Sequence, residues 1–331
     1  MKKNIHFLFA VVFLFTAVLL TLLSCKKDND RNSNGEIPDE TSSYWEDDYR
    51  RECLHGKVKS VIEYSSEEQL NAGFYTQKLF DQNGNRVEDA NYKDGKLYEG
   101  GKFKHNAQNN ITRWDYYSGY KLDGITEYTY GGPNSHNAYL PSDFNNESLG
   151  LTKGITGVRW YSADSGEELF SLKCTSVKGN QIDLRVGGSY FGFKEDEENY
   201  IVIKTKGAYP AELTAKGPNV DPNNAKVAEL FYGNDGIPNK IILPGSKTNS
   251  IMDFILKDGF CMLSSQVKVD VATGATENIW KFTYNSKGYL ESESYRNGTP
   301  ITYQYEYDAK GNWTKQESSK GEILYRKYTY R

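Results

Sequence analysis

Reactive side chains are sparse in this chain. Its 331 residues include 4 His and 4 Cys. His6, His55, His105 and His136 contain no pair at helical metal-ligand spacing, and Cys25, Cys53, Cys174 and Cys261 are too scattered to read as a metal cluster. A nucleophile elbow needs Gly-x-Ser-x-Gly, and a phosphate loop needs Gly-x-x-x-x-Gly-Lys followed by Ser or Thr. Neither occurs. Asp81-Gln-Asn-Gly84 and Asn234-Asp235-Gly236 offer oxygens at the spacing of a weak Ca²⁺ loop, but plain turns use the same residues far more often. The acidic run Glu195-Asp196-Glu197-Glu198 lies between two strand-like runs, Tyr190–Phe193 and Asn199–Thr205, and reads as a solvated hairpin tip. Glycoside hydrolysis needs two facing carboxylates, and nothing singles out such a pair among 44 acids. No catalytic residue, cofactor or metal ligand is expected.

The chemistry that is abundant is aromatic. The chain is 14% aromatic with 26 Tyr, and the rings recur on alternate residues: Trp114 and Tyr116, Tyr128 and Tyr130, Trp280 with Phe282 and Tyr284, Tyr303 with Tyr305 and Tyr307, Tyr328 and Tyr330. On a strand such rows share one face. They serve either as cross-strand pairs over a core, worth about 0.2–1 kcal/mol each, or as platforms that stack on sugar rings; the core use is the expected one. The ligand-stacking candidates are Trp313, Trp280, Tyr303 and Tyr305. Trp313 directly follows a Gly-Asn turn, where Val87 and Ile111 stand in or beside the corresponding slot.

Strands must position these rings. Ile182, Leu184 and Val186 alternate with Asp183 and Arg185, as do Val267, Val269 and Val271 with Lys268 and Asp270, and Phe170, Leu172 and Cys174 with the residues between them. Strict alternation marks strands with one buried and one wet face. Cys174 and Cys261 read as small buried hydrophobes; no spacing selects a disulfide among Cys53, Cys174 and Cys261. Asp94-Gly95, Asp235-Gly236, Asp258-Gly259 and Asn297-Gly298 suit tight hairpins, and strands so joined are antiparallel. The capping-box spacing of Ser43 and Glu46, the face Trp45, Tyr49, Cys53 and a stop at Gly56 predict one short N-terminal helix.

The N-terminus carries an address. Lys2 and Lys3 precede an apolar run, Ile5 to Leu23, that ends in Leu22-Leu23-Ser24-Cys25. This resembles the lipobox of bacterial lipoproteins. The resemblance implies cleavage after Ser24, diacylglyceryl transfer to the Cys25 sulfur and N-acylation of the new terminus, so that Cys25 holds the protein on a membrane. Residues 26–43 contain one large apolar side chain, Ile37, and cannot offset their ordering entropy; they read as a tether. The mixed-charge run Lys26 to Asp30 loosely resembles the surface-export signal of Bacteroidetes lipoproteins.

Internal repetition is the strongest signal. Phe80-Asp-Gln-Asn-Gly84 aligns with Tyr284-Asn-Ser-Lys-Gly288 and Tyr307-Asp-Ala-Lys-Gly311, and His105-Asn-Ala-Gln-Asn109 is a degenerate copy with Asn in the Gly slot. The units resemble the YD repeats of Rhs-type bacterial surface proteins, with Tyr307-Asp308-Ala-Lys-Gly311-Asn312 the nearest copy; a weaker likeness to MORN-type hairpins runs through Asp94-Gly95-Lys96. What the resemblance implies is a coiled antiparallel sheet in an envelope protein.

The expected fold is therefore all-β, repeated antiparallel hairpins forming a coiled extended sheet or partly closed barrel, with one short N-terminal helix. The expected organisation is a signal peptide at 1–24, a tether at 25–43 and a hairpin-repeat domain at 44–331, with repeat tracts about 56–132 and 226–331 and an irregular β insert between. The expected role is a non-catalytic binding or structural module, lipid-anchored at the outer membrane on its periplasmic or surface face. The alternatives are a carbohydrate-binding component of a glycan-uptake system and, third, a glycosidase-like enzyme. Partners would be the membrane and a glycan or envelope protein. A net charge of -4 argues against nucleic acid.

Overall fold

The computed structural model of the chain describes residues 54–144, 149–189, 198–218, 220, 225–232, 238–257 and 260–331. The lipobox, the tether and nearly all of the expected N-terminal helix, as well as the turns Asn234-Asp235-Gly236 and Asp258-Gly259, lie outside the described residues.

The strands are β1 (Val58–Tyr64), β2 (Tyr75–Phe80), β3 (Arg86–Lys93), β4 (Lys96–His105), β5 (Ile111–Ser118), β6 (Lys121–Tyr130), β7 (Tyr139–Phe144), β8 (Leu149–Lys153), β9 (Ile155–Ser162), β10 (Glu168–Lys178) and β11 (Gln181–Gly187). They continue as β12 (Asn199–Lys206), β13 (Tyr209–Lys216), β14 (Lys226–Tyr232), β15 (Pro238–Leu243), β16 (Thr248–Lys257), β17 (Phe260–Asp270), β18 (Thr276–Tyr284), β19 (Leu290–Tyr295), β20 (Ile301–Tyr307), β21 (Trp313–Ser318) and β22 (Ile323–Tyr330). One short helix, α1 (Glu67–Asn71), lies between β1 and β2 and is capped by Ser66, whose Oγ accepts the Gln69 amide at 3.2 Å. A single turn carries too little periodicity to be read from sequence.

Each strand pairs antiparallel with its neighbour in the chain, except that β6 pairs with β9 and the hairpin β7–β8 forms its own two-stranded sheet. The 20-stranded sheet closes completely: β22 returns to β1, with Tyr328 opposite Val61 and Arg326 opposite Glu63. The sequence pattern allowed an open or partly closed sheet. Full closure leaves no strand edge unpaired, which removes the usual template for aggregation. Strands β9 to β13, from the stretch without repeat motifs, belong to the same ring.

The repeat motif is a turn with its own hydrogen-bond set. In the last copy the Asp308 amide donates to the Asn312 carbonyl at 2.9 Å and the Gly311 amide to the Asp308 carbonyl at 3.1 Å. Asp308 Oδ1 accepts the amides of Lys310 and Asn312 at 2.9 and 3.0 Å. The same four bonds recur at Asp81, Asn106 and Asn285. The fifth position must be left-handed, and it is: φ is 93° at Gly311 and 62° at Asn109. Each turn ends in a bulge that sets the ring-bearing residue against the second residue after the Gly slot, giving the pairs Phe80–Arg86, His105–Ile111, Tyr284–Leu290 and Tyr307–Trp313. Asn297-Gly298 departs from expectation by one residue. Arg296 and Asn297 take the positive-φ positions, and the Gly298 amide closes the turn on the Tyr295 carbonyl at 2.8 Å.

One face of the ring is buried. From β10 to β17 it is apolar, with Ile182 opposite Ile203, Leu184 opposite Ile201, and Ile241 opposite Met252 in one cluster. In β20 the same face carries half-buried Tyr303, Tyr305 and Tyr307, while Thr302, Gln304 and Glu306 are exposed on the other. Over much of β10 to β17 the buried face is thus the apolar one, and on β20 the exposed face is polar.

Candidate functional site

Where the apolar lining ends, the inner face becomes polar. Glu63 on β1, Lys78 on β2, Asp89 on β3, Glu99 on β4 and Arg326 on β22 reach the same side, and together with Arg86 they surround a cavity of about 440 Å³. That is within the usual span of small-molecule sites, roughly 300–1,000 Å³. Closure creates it, because β22 must lie against β1 before Arg326 can meet Glu63, at 2.9 Å.

Arg86 forms the buried end of the cup. It is 2% exposed, pairs with Asp89 at 3.0 Å and lies 4.9 Å over the Phe103 ring. Its position is the slot after the first repeat turn, occupied by Ile111, Leu290 and Trp313 in the other copies. A guanidinium in an apolar slot carries a desolvation cost that a paired carboxylate only partly offsets, so this departure from the repeat marks the site.

An aromatic wall continues from Phe103. The Trp114 indole stacks on it at 5.9 Å and 11°, and Tyr116 meets Trp114 edge-on at 5.9 Å. Trp114 fits because β4 has Gly101 opposite Tyr116; any Cβ at Gly101 would run into the indole Nε1. That Nε1 is buried and has no acceptor among the described residues. The Tyr116 hydroxyl donates to Glu99 at 3.2 Å, and burial, then the Glu99 charge, raises its pKa. Toward the barrel end, Glu63, Thr76 and Asn91 also border a shallower recess, while the stacked rings of Tyr75 and Tyr92 belong to the opposite face of the sheet. The cup thus combines a charged floor with an aromatic wall.

None of the four stacking candidates lines the cup; Trp313 and Tyr305 pack against each other, while Trp280 sits apart from them. Trp313 is 5% exposed, with the Arg326 guanidinium 4.0 Å over its ring and Tyr305 at 6.0 Å. The Tyr305 hydroxyl donates to the Leu290 carbonyl at 2.7 Å and accepts from Gln316, while the Tyr303 hydroxyl donates to Glu293 at 2.8 Å. Trp280 is half-buried beside Phe282 and the exposed Tyr295. Among the described residues no group of three His, Cys, Asp or Glu is placed to hold a metal ion. The Cys174 thiol is buried, free and raised in pKa by that burial; side-chain placement of Cys53 and Cys261 lies outside the described residues.

No known family matches the chain, and no curated protein does. Among solved structures, a Tc holotoxin pore of Photorhabdus luminescens is similar at 13% identity and a TM-score of 0.27, over 73% of this chain and 12% of that one. A complex of TcdB2, TccC3 and Cdc42 is similar at 9% identity and 0.27, over 75% of this chain and 14% of that one. A porin-like protein of Bacteroides uniformis is similar at 7% identity and 0.20, over 82% and 98%. The chain thus spans about an eighth of the first of these. Scores this low carry no conclusion about its function.

Proposed function

We propose that the chain is a lipid-anchored cell-envelope protein whose barrel is a non-catalytic binding or structural module, held at the outer membrane through Cys25. The observation that carries this reading is the pairing of a lipobox with a barrel whose apolar cluster lies on the buried face and whose exposed face on β20 is polar. A membrane-spanning barrel has the opposite polarity, with an apolar outer band. A barrel with a wet exterior needs a separate anchor to stay at a membrane, and acyl chains on Cys25 supply it at about 0.8 kcal/mol per buried CH₂. The YD-like turns fit this reading as scaffold: each is consumed in its own hydrogen bonds. The cup supports a second reading, a carbohydrate-binding part of a glycan-uptake system, because it combines paired ionic groups with an aromatic wall.

The test is mass spectrometry of the mature N-terminus, with fractionation of wild type and Cys25→Ala. Wild type should carry acyl chains on residue 25 and sediment with membranes, and the variant should do neither. An acylated variant, or an unmodified wild type, overturns the anchor.

A further inference from the structure

The inner cup has a chemistry that selects a class of ligand. Its lining holds three carboxylates, Glu63, Asp89 and Glu99, and three cations, Lys78, Arg86 and Arg326. The balance gives no net field to attract a phosphate, a uronate or a polyamine. A purely apolar ligand would take these charged groups out of water without offering them any hydrogen bond of its own. A peptide that binds by adding a strand needs a sheet edge, and this ring has no free edge. What remains is a neutral ligand bearing many hydroxyls, each able to donate to a carboxylate and accept from a guanidinium.

We propose that the cup binds a neutral saccharide unit, with the Arg86–Asp89 and Glu63–Arg326 pairs as its hydrogen-bonding floor and the indole of Trp114 as its stacking surface. The pairs are held at 3.0 and 2.9 Å before any ligand arrives, so their donors and acceptors are already oriented. Gly101 leaves the indole room to lie against β4.

This inference rests on the barrel being a binding module, and it does not depend on the lipid anchor. The probes are maltohexaose, cellohexaose and mannohexaose, with trigalacturonate and triglycine as charged and zwitterionic competitors, titrated by calorimetry against the full chain. At least one neutral hexaose should bind saturably and the competitors should not. Arg86→Leu places in the slot the residue type found in the other repeats, so it should keep the native melting transition and weaken binding by about tenfold or more. Trp114→Phe should keep the fold, weaken binding and remove any ligand-induced change in tryptophan fluorescence. Absence of neutral-hexaose binding, stronger binding of either competitor, or wild-type affinity in both folded variants overturns the proposal. None of these outcomes bears on acylation of Cys25, whose failure would be read separately.

Discussion

Asn312 and His55 stand 257 positions apart and hold each other from both sides. The His55 amide donates to Asn312 Oδ1 at 2.8 Å, and Asn312 Nδ2 donates back to the His55 carbonyl at 2.8 Å. The last repeat turn thereby grips the chain just before β1, at the seam where β22 closes the ring. Asn312 is fully buried and also donates to the Tyr330 hydroxyl.

Asn312→Ala leaves a main-chain donor and acceptor of His55 without these partners. The expected loss is about 2–4 kcal/mol, at the usual cost of unmade buried hydrogen bonds. Chemical denaturation measures it, and amide exchange should quicken first in β1 and β22. Exchange rising evenly around the ring would mean the seam is no weaker than the rest.

Gly311 tests the turn itself. With φ at 93°, a β-branched residue is strained whatever the space around it, and the nearest atom an added Cβ would meet is Lys287 Nζ at 3.4 Å. Gly311→Val should therefore cost roughly 1–3 kcal/mol through the backbone. Lys310→Val loses only an exposed cation over the Tyr330 ring, at 4.2 Å, and should cost about 0.5–1 kcal/mol. Equal melting shifts in the two variants would place the strain elsewhere.

The repeat was legible because its hydrogen bonds close within five consecutive residues: Asp or Asn to accept two amides, Gly or Asn to turn left-handed. Closure was not, since it depends on β1 meeting β22 and no local pattern encodes which strand ends beside the first. The cup inherits that opacity. Glu63 and Arg326 lie 263 residues apart, and neither stands out alone. One part was visible in principle, namely Arg86 in a slot that is apolar after the other turns. Asn297-Gly298 misled by a single residue because Asn tolerates positive φ better than most non-Gly residues; Arg296 and Asn297 make the turn and Gly298 closes it.

Trp313 separates core from platform among the aromatic rows. Its burial beneath Arg326, with the Tyr328 hydroxyl donating to its carbonyl at 2.8 Å, predicts a loss of about 3–5 kcal/mol in Trp313→Ala. Full stability combined with lost glycan retention would return this residue to the ligand-stacking role.

Asp308 shows what the Asp of the repeat adds over Asn. Burial works to raise its carboxyl, but the Tyr330 hydroxyl and the amides of Lys310, Asn312 and Gly311 outweigh it and hold the group below its ordinary value of 3.8. The stability this gives is present above the unfolded value and is lost as pH falls through the lowered one. Asp308→Asn keeps the Oδ1 acceptor used at Asn106 and Asn285, and should cost less than about 1 kcal/mol at neutral pH, against about 1–3 kcal/mol for Asp308→Ala. The gap between wild type and the Asn variant should narrow in acid; a gap that widens would contradict the assigned direction.

His136 gives the barrel a second acid response at a different pH. The ring is 8% exposed, and its Nε2–H donates to the Ile155 carbonyl at 2.7 Å beside the start of β9. Burial lowers its pKa below the ordinary 6.5, and the backbone carbonyl contacts of Ile155 and Ala138 oppose that only in part. Because the folded state binds its proton less readily than the unfolded chain, stability is full above about 6.5 and declines as pH drops through that value toward the lowered one. His136→Gln can still donate to Ile155 but carries no titratable ring. Thermal melts at about pH 7.5 and about pH 5.5 should show a larger fall for wild type than for the Gln variant. A fall of equal size in both would locate the acid sensitivity of this range in another group.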